Sequence, residues 1–165
     1  MRKGFTMIEL IFVIVILGIL AAIAIPRLAA SRDDAEAVKT ARTMSVLVSD
    51  VSSYYVSQAT LAKKLGDMTN VKFVTAPTGL TGILDSAGKK CVNVAVTAGT
   101  ATTPAYITFT PGADAAAAGT ICPRVVAMST VKSMIDATFT PETASGTPGT
   151  PIKGIAIGST TTIKF

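Results

Sequence analysis

Residues 5–26 read FTMIELIFVIVILGILAAIAIP. Between Leu10 and Ile25 there is no charged residue and a single glycine, Gly18. Counted from Phe5 to Ile25 the stretch is 21 residues, which as a helix rises roughly 31 Å, about one bilayer hydrocarbon core. Backbone in hydrocarbon must satisfy its own hydrogen bonds, so such a stretch has to be helical. A secretory signal has a short apolar core and a small-residue cleavage site. Here the apolar core is too long, and Pro26-Arg27-Leu28 follows it. A plain membrane anchor fits the length but leaves Glu9 unexplained. A carboxylate at such a depth is unfavourable unless it is paired, and it marks a functional position by default.

The residues before and through this stretch, RKG-FTMIELIFVIVILGILAAIAIP, resemble the N-terminus of type IV pilins and of the pseudopilins of type II secretion systems. The shared pattern is a short basic leader ending in glycine, then Phe, then Glu at the fifth position of the mature chain, then an apolar helix. The resemblance covers residues 2 to about 30. It implies cleavage between Gly4 and Phe5 by a prepilin peptidase, with a glycine required at the cut, and N-methylation of Phe5. It further implies that Glu9 meets the new N-terminal amine of Phe5 on a neighbouring subunit. An ion pair of that kind offsets the burial of the carboxylate and specifies axial register. The implied segments are a leader at 1–4, a transmembrane and filament-core helix at 5–26, an amphipathic helix at 27–65 and a β-rich head at 66–165. The fold class expected is α+β: a long N-terminal helix packed on a small antiparallel sheet. Arg2 and Lys3 precede the apolar stretch while Arg27 and Arg32 follow it, so the positive-inside count is balanced. The resemblance favours a cytoplasmic N-terminus, a head in the periplasm and a precursor stored in the bacterial inner membrane.

Pro26 removes a helical hydrogen bond and clashes with the preceding turn, so a kink is expected there. Gly18 is a second weak point. In filaments of the family the segment between the equivalent glycine and proline can lose helicity, and the same is expected between Gly18 and Pro26. Beyond Pro26, Ala37, Ala41, Met44, Val48, Val51, Tyr55 and Ala62 recur at helical spacing, and Leu47 and Tyr54 widen the stripe. Arg32, Asp33, Asp34, Glu36, Lys39 and Arg42 fall on the other faces, as in a solvated helix with short-range ion pairs. The helix is expected to fade near Lys64, with Gly66 as its stop.

The head offers little chemistry. The chain has no histidine, which excludes His-based triads, His metal sites and the simplest acid–base catalysis near neutral pH. Charged residues make up 15% of the chain against about 25% in average soluble proteins. The net charge of +5 includes Arg2 and Lys3, and no basic block points to nucleic acid. Gly88-Lys89-Lys90 lacks the spacing and the Ser/Thr of a phosphate loop. The head acids Asp67, Asp85, Asp114, Asp136 and Glu142 show no paired spacing, so no catalytic role and no cofactor is expected. Major pseudopilins often bind calcium in a C-terminal loop. Glu142 is the one acid in residues 138–165, so no metal is expected. Cys91 and Cys122 form a disulfide if the head is exported; otherwise they are two separate buried thiols.

Residues 66–90 read as an irregular connector ending in a turn at LDSAGKK. Cys91–Thr97 and Ala105–Thr110 read as a hairpin. After an alanine-rich loop, either a short helix opening at Cys122-Pro123, with Val125, Met128, Val131, Met134 and Ile135 on one face, or a strand at 121–127 followed by a shorter helix fits the pattern. Ile152–Ile157 and Thr161–Phe165 read as a terminal hairpin. The function expected is polymerisation into a type IV pilus-like filament, with further copies of the chain, minor pilins, the prepilin peptidase/N-methyltransferase, an inner-membrane assembly platform and the bilayer as partners. The alternatives are a pseudopilin of type II secretion, a tethered enzyme, and an anchored binding domain that never polymerises. The anchored binding domain would tolerate Glu9→Leu, whereas a filament subunit would lose assembly.

Overall fold

The first described element is a helix, α1, running from Met7 to Gln58 without interruption through Gly18 and Pro26. The computed structural model describes residues 4–142 and 146–158, apart from the side chain of Ala30. The chain divides into two units, Met1–Ala35 and Glu36–Phe165. In the first unit every described side chain from Gly4 to Ala29 is exposed. The 18-residue window apolar enough to cross a membrane is 0% buried. A core helix of a water-soluble domain hides its apolar face, so this segment does not have that role. Pro26 offers no N–H to the carbonyl of Ala22, one turn back, yet the helix continues on both sides of it.

In the second unit α1 becomes one-sided. Ala37, Ala41, Met44, Leu47 and Val51 are buried, at the three- and four-residue steps read from the sequence. Leu47 is fully buried, whereas Val48 is only half-buried. Lys39 reaches back to Glu36 at 3.2 Å on the wet side. The helix ends earlier than the expected stop near Lys64. Ala59 takes a positive φ of 55° just after Gln58, a left-handed C-cap conformation usually given to glycine. Gly66 instead lies in a short 3-10 turn, Leu65–Asp67. The early exit turns the chain back so that Leu65 and Met68 enter the core. A helix continued to Lys64 could not have brought them there.

The head is an antiparallel sheet of β1 (Thr81–Ser86), β2 (Lys89–Thr97), β3 (Tyr106–Pro111) and β6 (Ile155–Ala156), in that spatial order. Two short helices, α2 (Cys122–Ala127) and α3 (Ser129–Ile135), precede a second, two-stranded pair of β4 (Thr138–Phe139) and β5 (Ile152–Lys153). Val92, Val94 and Val96 of β2 and Ile107 and Phe109 of β3 alternate inward and join Leu84, Met44, Leu47 and Val51 in one buried cluster. The helix is tied to the sheet by a polar contact as well. The buried hydroxyls of Thr40 and Ser86 lie 2.9 Å apart. At the other end Thr69 donates its hydroxyl to Asp50 at 2.6 Å.

Several boundaries differ from the sequence reading. The connector at 66–90 contains β1. Its outer edge is covered, since Val74 donates its N–H to Ile83 and the residues around Phe73 pair with Leu84. An edge covered in this way is closed to further strands. The segment after Cys122 is two helices, because Met128 is extended at ψ 130° and separates them. Val125, Val131 and Ile135 are buried as expected of that face. The strand expected over 152–157 breaks at Gly154, so its halves pair in different sheets. Thr161–Phe165, its expected partner, lies outside the described residues.

The β1–β2 connection is a two-residue turn, with Ala87 at φ 54° and Gly88 at φ 75°. Both positive angles fit a type I′ turn, which favours Asn-Gly. Asp85 accepts the Gly88 N–H at 2.7 Å. That bond, with Lys72 at 3.1 Å, holds the Asp85 carboxyl below its ordinary value. Two outcomes are expected from thermal and urea unfolding followed by circular dichroism. Ala87→Asn relieves a non-glycine left-handed residue and stabilises the head by about 1 kcal/mol. The Asp85 contribution is fully present above its unfolded value of about 3.9 and is lost as pH falls through the lower folded one. Asp85→Asn therefore flattens the decline in stability between about pH 5 and pH 2.

Candidate functional site

Five residues singled out in the sequence lie in the first unit: Gly4, Phe5, Glu9 and, further along, Gly18 and Pro26. Gly4, Phe5 and Thr6 precede α1 in non-helical backbone. Phe5 is 84% exposed. A Cβ added at Gly4 would meet nothing within 4 Å, and the same holds at Gly18. Among the described residues, then, none crowds position 4.

Glu9 is in the first turn of α1, and it has a partner in its own chain. Its Oε2 accepts the Thr6 backbone N–H at 2.9 Å and the Thr6 hydroxyl at 2.7 Å. The Thr6 Oγ1 in turn accepts the Glu9 N–H at 3.4 Å. This is a capping box, with Thr6 as the cap residue and Glu9 at the third helical position. It satisfies two of the N–H groups that a helix start leaves without partners. A negative charge in the first turn also meets the positive end of the helix dipole. The sequence reading treated Glu9 as an acid whose partner lies on another chain. The T-M-I-E spacing of Thr6 and Glu9 is a capping signature that reading did not use. Thr6 is accordingly the residue of this site that was missed.

In the second unit, Cys91 at β2 and Cys122 at the first residue of α2 are joined by a disulfide across a sequence separation of 31. Both are fully buried. The bridge ties the central strand to the two-helix segment, and Val125 and Val131 pack beneath it in the same core.

Asp85, Asp114 and Asp136 of the head are engaged in structure. Asp114 accepts the Lys90 N–H at 2.9 Å. Asp136 pairs with Lys132 at 3.0 Å and Lys153 at 3.6 Å, and the Lys132 contact leads in holding its carboxyl below the ordinary value. Among the described residues no group of three or more metal-ligating side chains converges. A groove of about 380 Å³ runs between the connector and the outer sheet face, lined by Thr75, Thr78, Thr81, Asn93, Thr108 and Thr110 among others. Its lining carries no ionisable group, so it holds no acid, base or charged nucleophile.

Residues 1–25 match the family model described as the prokaryotic N-terminal methylation motif, the prepilin-type signal of type IV pilins and pseudopilins. No solved structure matches the chain with significance. The chain thus carries a pilin-like precursor signal ahead of an α+β, pilin-like fold.

Removing the bridge is expected to destabilise the head. With the cysteines separated by 31 positions in the sequence, the chain-entropy model gives about 3–4 kcal/mol. Cys91→Ser with Cys122→Ser should shift the urea midpoint down accordingly, while the apolar helix still partitions into membranes.

Proposed function

We propose that the chain is a structural subunit of a type IV pilus-like filament. It is held in the bacterial inner membrane as a precursor with its head in the periplasm, and is processed between Gly4 and Phe5. One observation carries this reading: an exposed apolar stretch of α1, residues 7–26, whose only charge is a first-turn glutamate, overlapping a prepilin-type signal matched over residues 1–25. A membrane accepts that surface before assembly, and helices of further copies accept it afterwards. The prepilin peptidase and N-methyltransferase act on Gly4 and Phe5, and an inner-membrane platform extracts the processed subunit. Minor pilins share the filament. The partners are protein and lipid; no feature of the head selects nucleic acid or a cofactor.

The geometry at Glu9 refines how its charge would be used. Both Thr6 bonds fall on Oε2, so Oε1 remains for a second donor. The amine created at Phe5 of an adjacent copy is such a donor. The pair then forms on a carboxylate whose rotamer is already set. Gly18 and Pro26 supply the places at which α1 yields when packed among other helices. Pili and type II secretion pseudopili share this signal, and the destination of the assembled fibre separates them. Recovery in sheared surface fibres marks a pilus, and retention at the periplasmic face marks a secretion pseudopilus.

Mass spectrometry of the N-terminal peptide from membranes is expected to begin at a methylated Phe5. Glu9→Gln keeps an oxygen for the Thr6 N–H and removes the charge. It is expected to insert in membranes and to lower fibre yield more than about tenfold, since breaking one side of a buried pair is costly. Fibres at the wild-type level from this variant would overturn the charge-pairing role of Glu9, and failure of the wild-type chain to enter any fibre would overturn the polymerisation reading.

A further inference from the structure

We infer that Thr6 is a positioning residue for processing: its capping box with Glu9 starts α1 after the scissile Gly4–Phe5 bond and keeps that bond out of the helix. The inference rests on the processing reading above. Hydrolysis adds one water across the Gly4–Phe5 amide, leaving a carboxylate on Gly4 and an amine on Phe5. The attacked atom is the carbonyl carbon of Gly4, so that carbonyl has to be free of the helical ladder.

The observed ladder begins later. The Thr6 carbonyl accepts the Leu10 N–H at 3.3 Å, as a cap residue's carbonyl does. Gly4 lies two positions upstream in non-helical backbone. Among the described residues, the contacts at that start are those of Thr6 with Glu9 and Leu10. Phe5 does not break helices, and in an apolar medium every additional intrahelical bond is favoured. If α1 began at Phe5, Gly4 would become the cap residue and its carbonyl would accept the Ile8 N–H. The bond to be cut would then belong to the first turn. Thr6 holds the start at Met7 through three hydrogen bonds with Glu9. Thr6 need not touch the peptidase at all. It acts by raising the fraction of precursor that offers an open Gly4–Phe5 bond.

The test is a cleavage assay on the full-length precursor in phospholipid vesicles with purified prepilin peptidase. Thr6→Val is nearly isosteric but cannot cap. It is expected to raise KM about fivefold with kcat unchanged, as a fall in the competent population requires. Thr6→Ser and Thr6→Asn cap helices well although Asn differs in shape; both are expected to restore the wild-type KM. Wild-type kinetics for Thr6→Val would overturn the inference. So would failure of Thr6→Asn to restore KM, which would mean that the peptidase reads the Thr side chain directly. A loss confined to kcat would overturn it as well. If the wild-type precursor itself stays uncut, the processing reading falls, and this inference with it.

Discussion

An apolar helical surface that no part of its own unit covers governs this molecule. From Gly4 to Ala29 every described side chain is exposed, including Ile8, Phe12, Leu17 and Ile25. Surface of this extent and composition is not stable in water. Such a surface suits an apolar surrounding, and a helix suits it too, because it meets its backbone hydrogen-bonding needs internally.

The second half of α1 solves a different problem with the same secondary structure. There the apolar residues contract to a stripe, Ala37 through Val51, that is buried with β1, β2 and β3. Two polar contacts mark the ends of the packed region, Thr40 with Ser86 and Asp50 with Thr69. Buried hydroxyls without partners would be costly, so each contact restricts how the helix can rotate or slide on the sheet. The disulfide adds a covalent restriction on the far side of β2. The head is thus defined by packing and one crosslink, while Asp85, Asp114 and Asp136 serve turns and ion pairs.

Much of this was legible in the residues because it rests on periodicity or on local chemistry. The apolar run, the helical stripe beyond Pro26 and the alternation of Val92, Val94 and Val96 all follow from repeat length. The parts that were not legible depend on tertiary choices. β1 was read as connector because TGILDS is short, holds Gly82 and has weak alternation; its identity comes from pairing with β2 and with the segment around Phe73. The helix end at Gln58 has no glycine or proline to announce it, since Ala59 takes the left-handed conformation. At the candidate site, Gly4, Phe5 and Glu9 stood out by motif and by charge. Thr6 did not, because beside an acid in an apolar run the eye goes to the charge and not to the helix cap three residues before it.

The buried cystine has a consequence for how the second unit folds. Thiols stay apart in a reducing compartment and pair in an oxidising one, so completion of the head is tied to the redox state around it. With the sulfurs joined, β2 and the start of α2 remain neighbours even in the unfolded chain, which narrows the search for the native arrangement. Reduction would lift that constraint from the second unit and leave the apolar stretch of the first untouched.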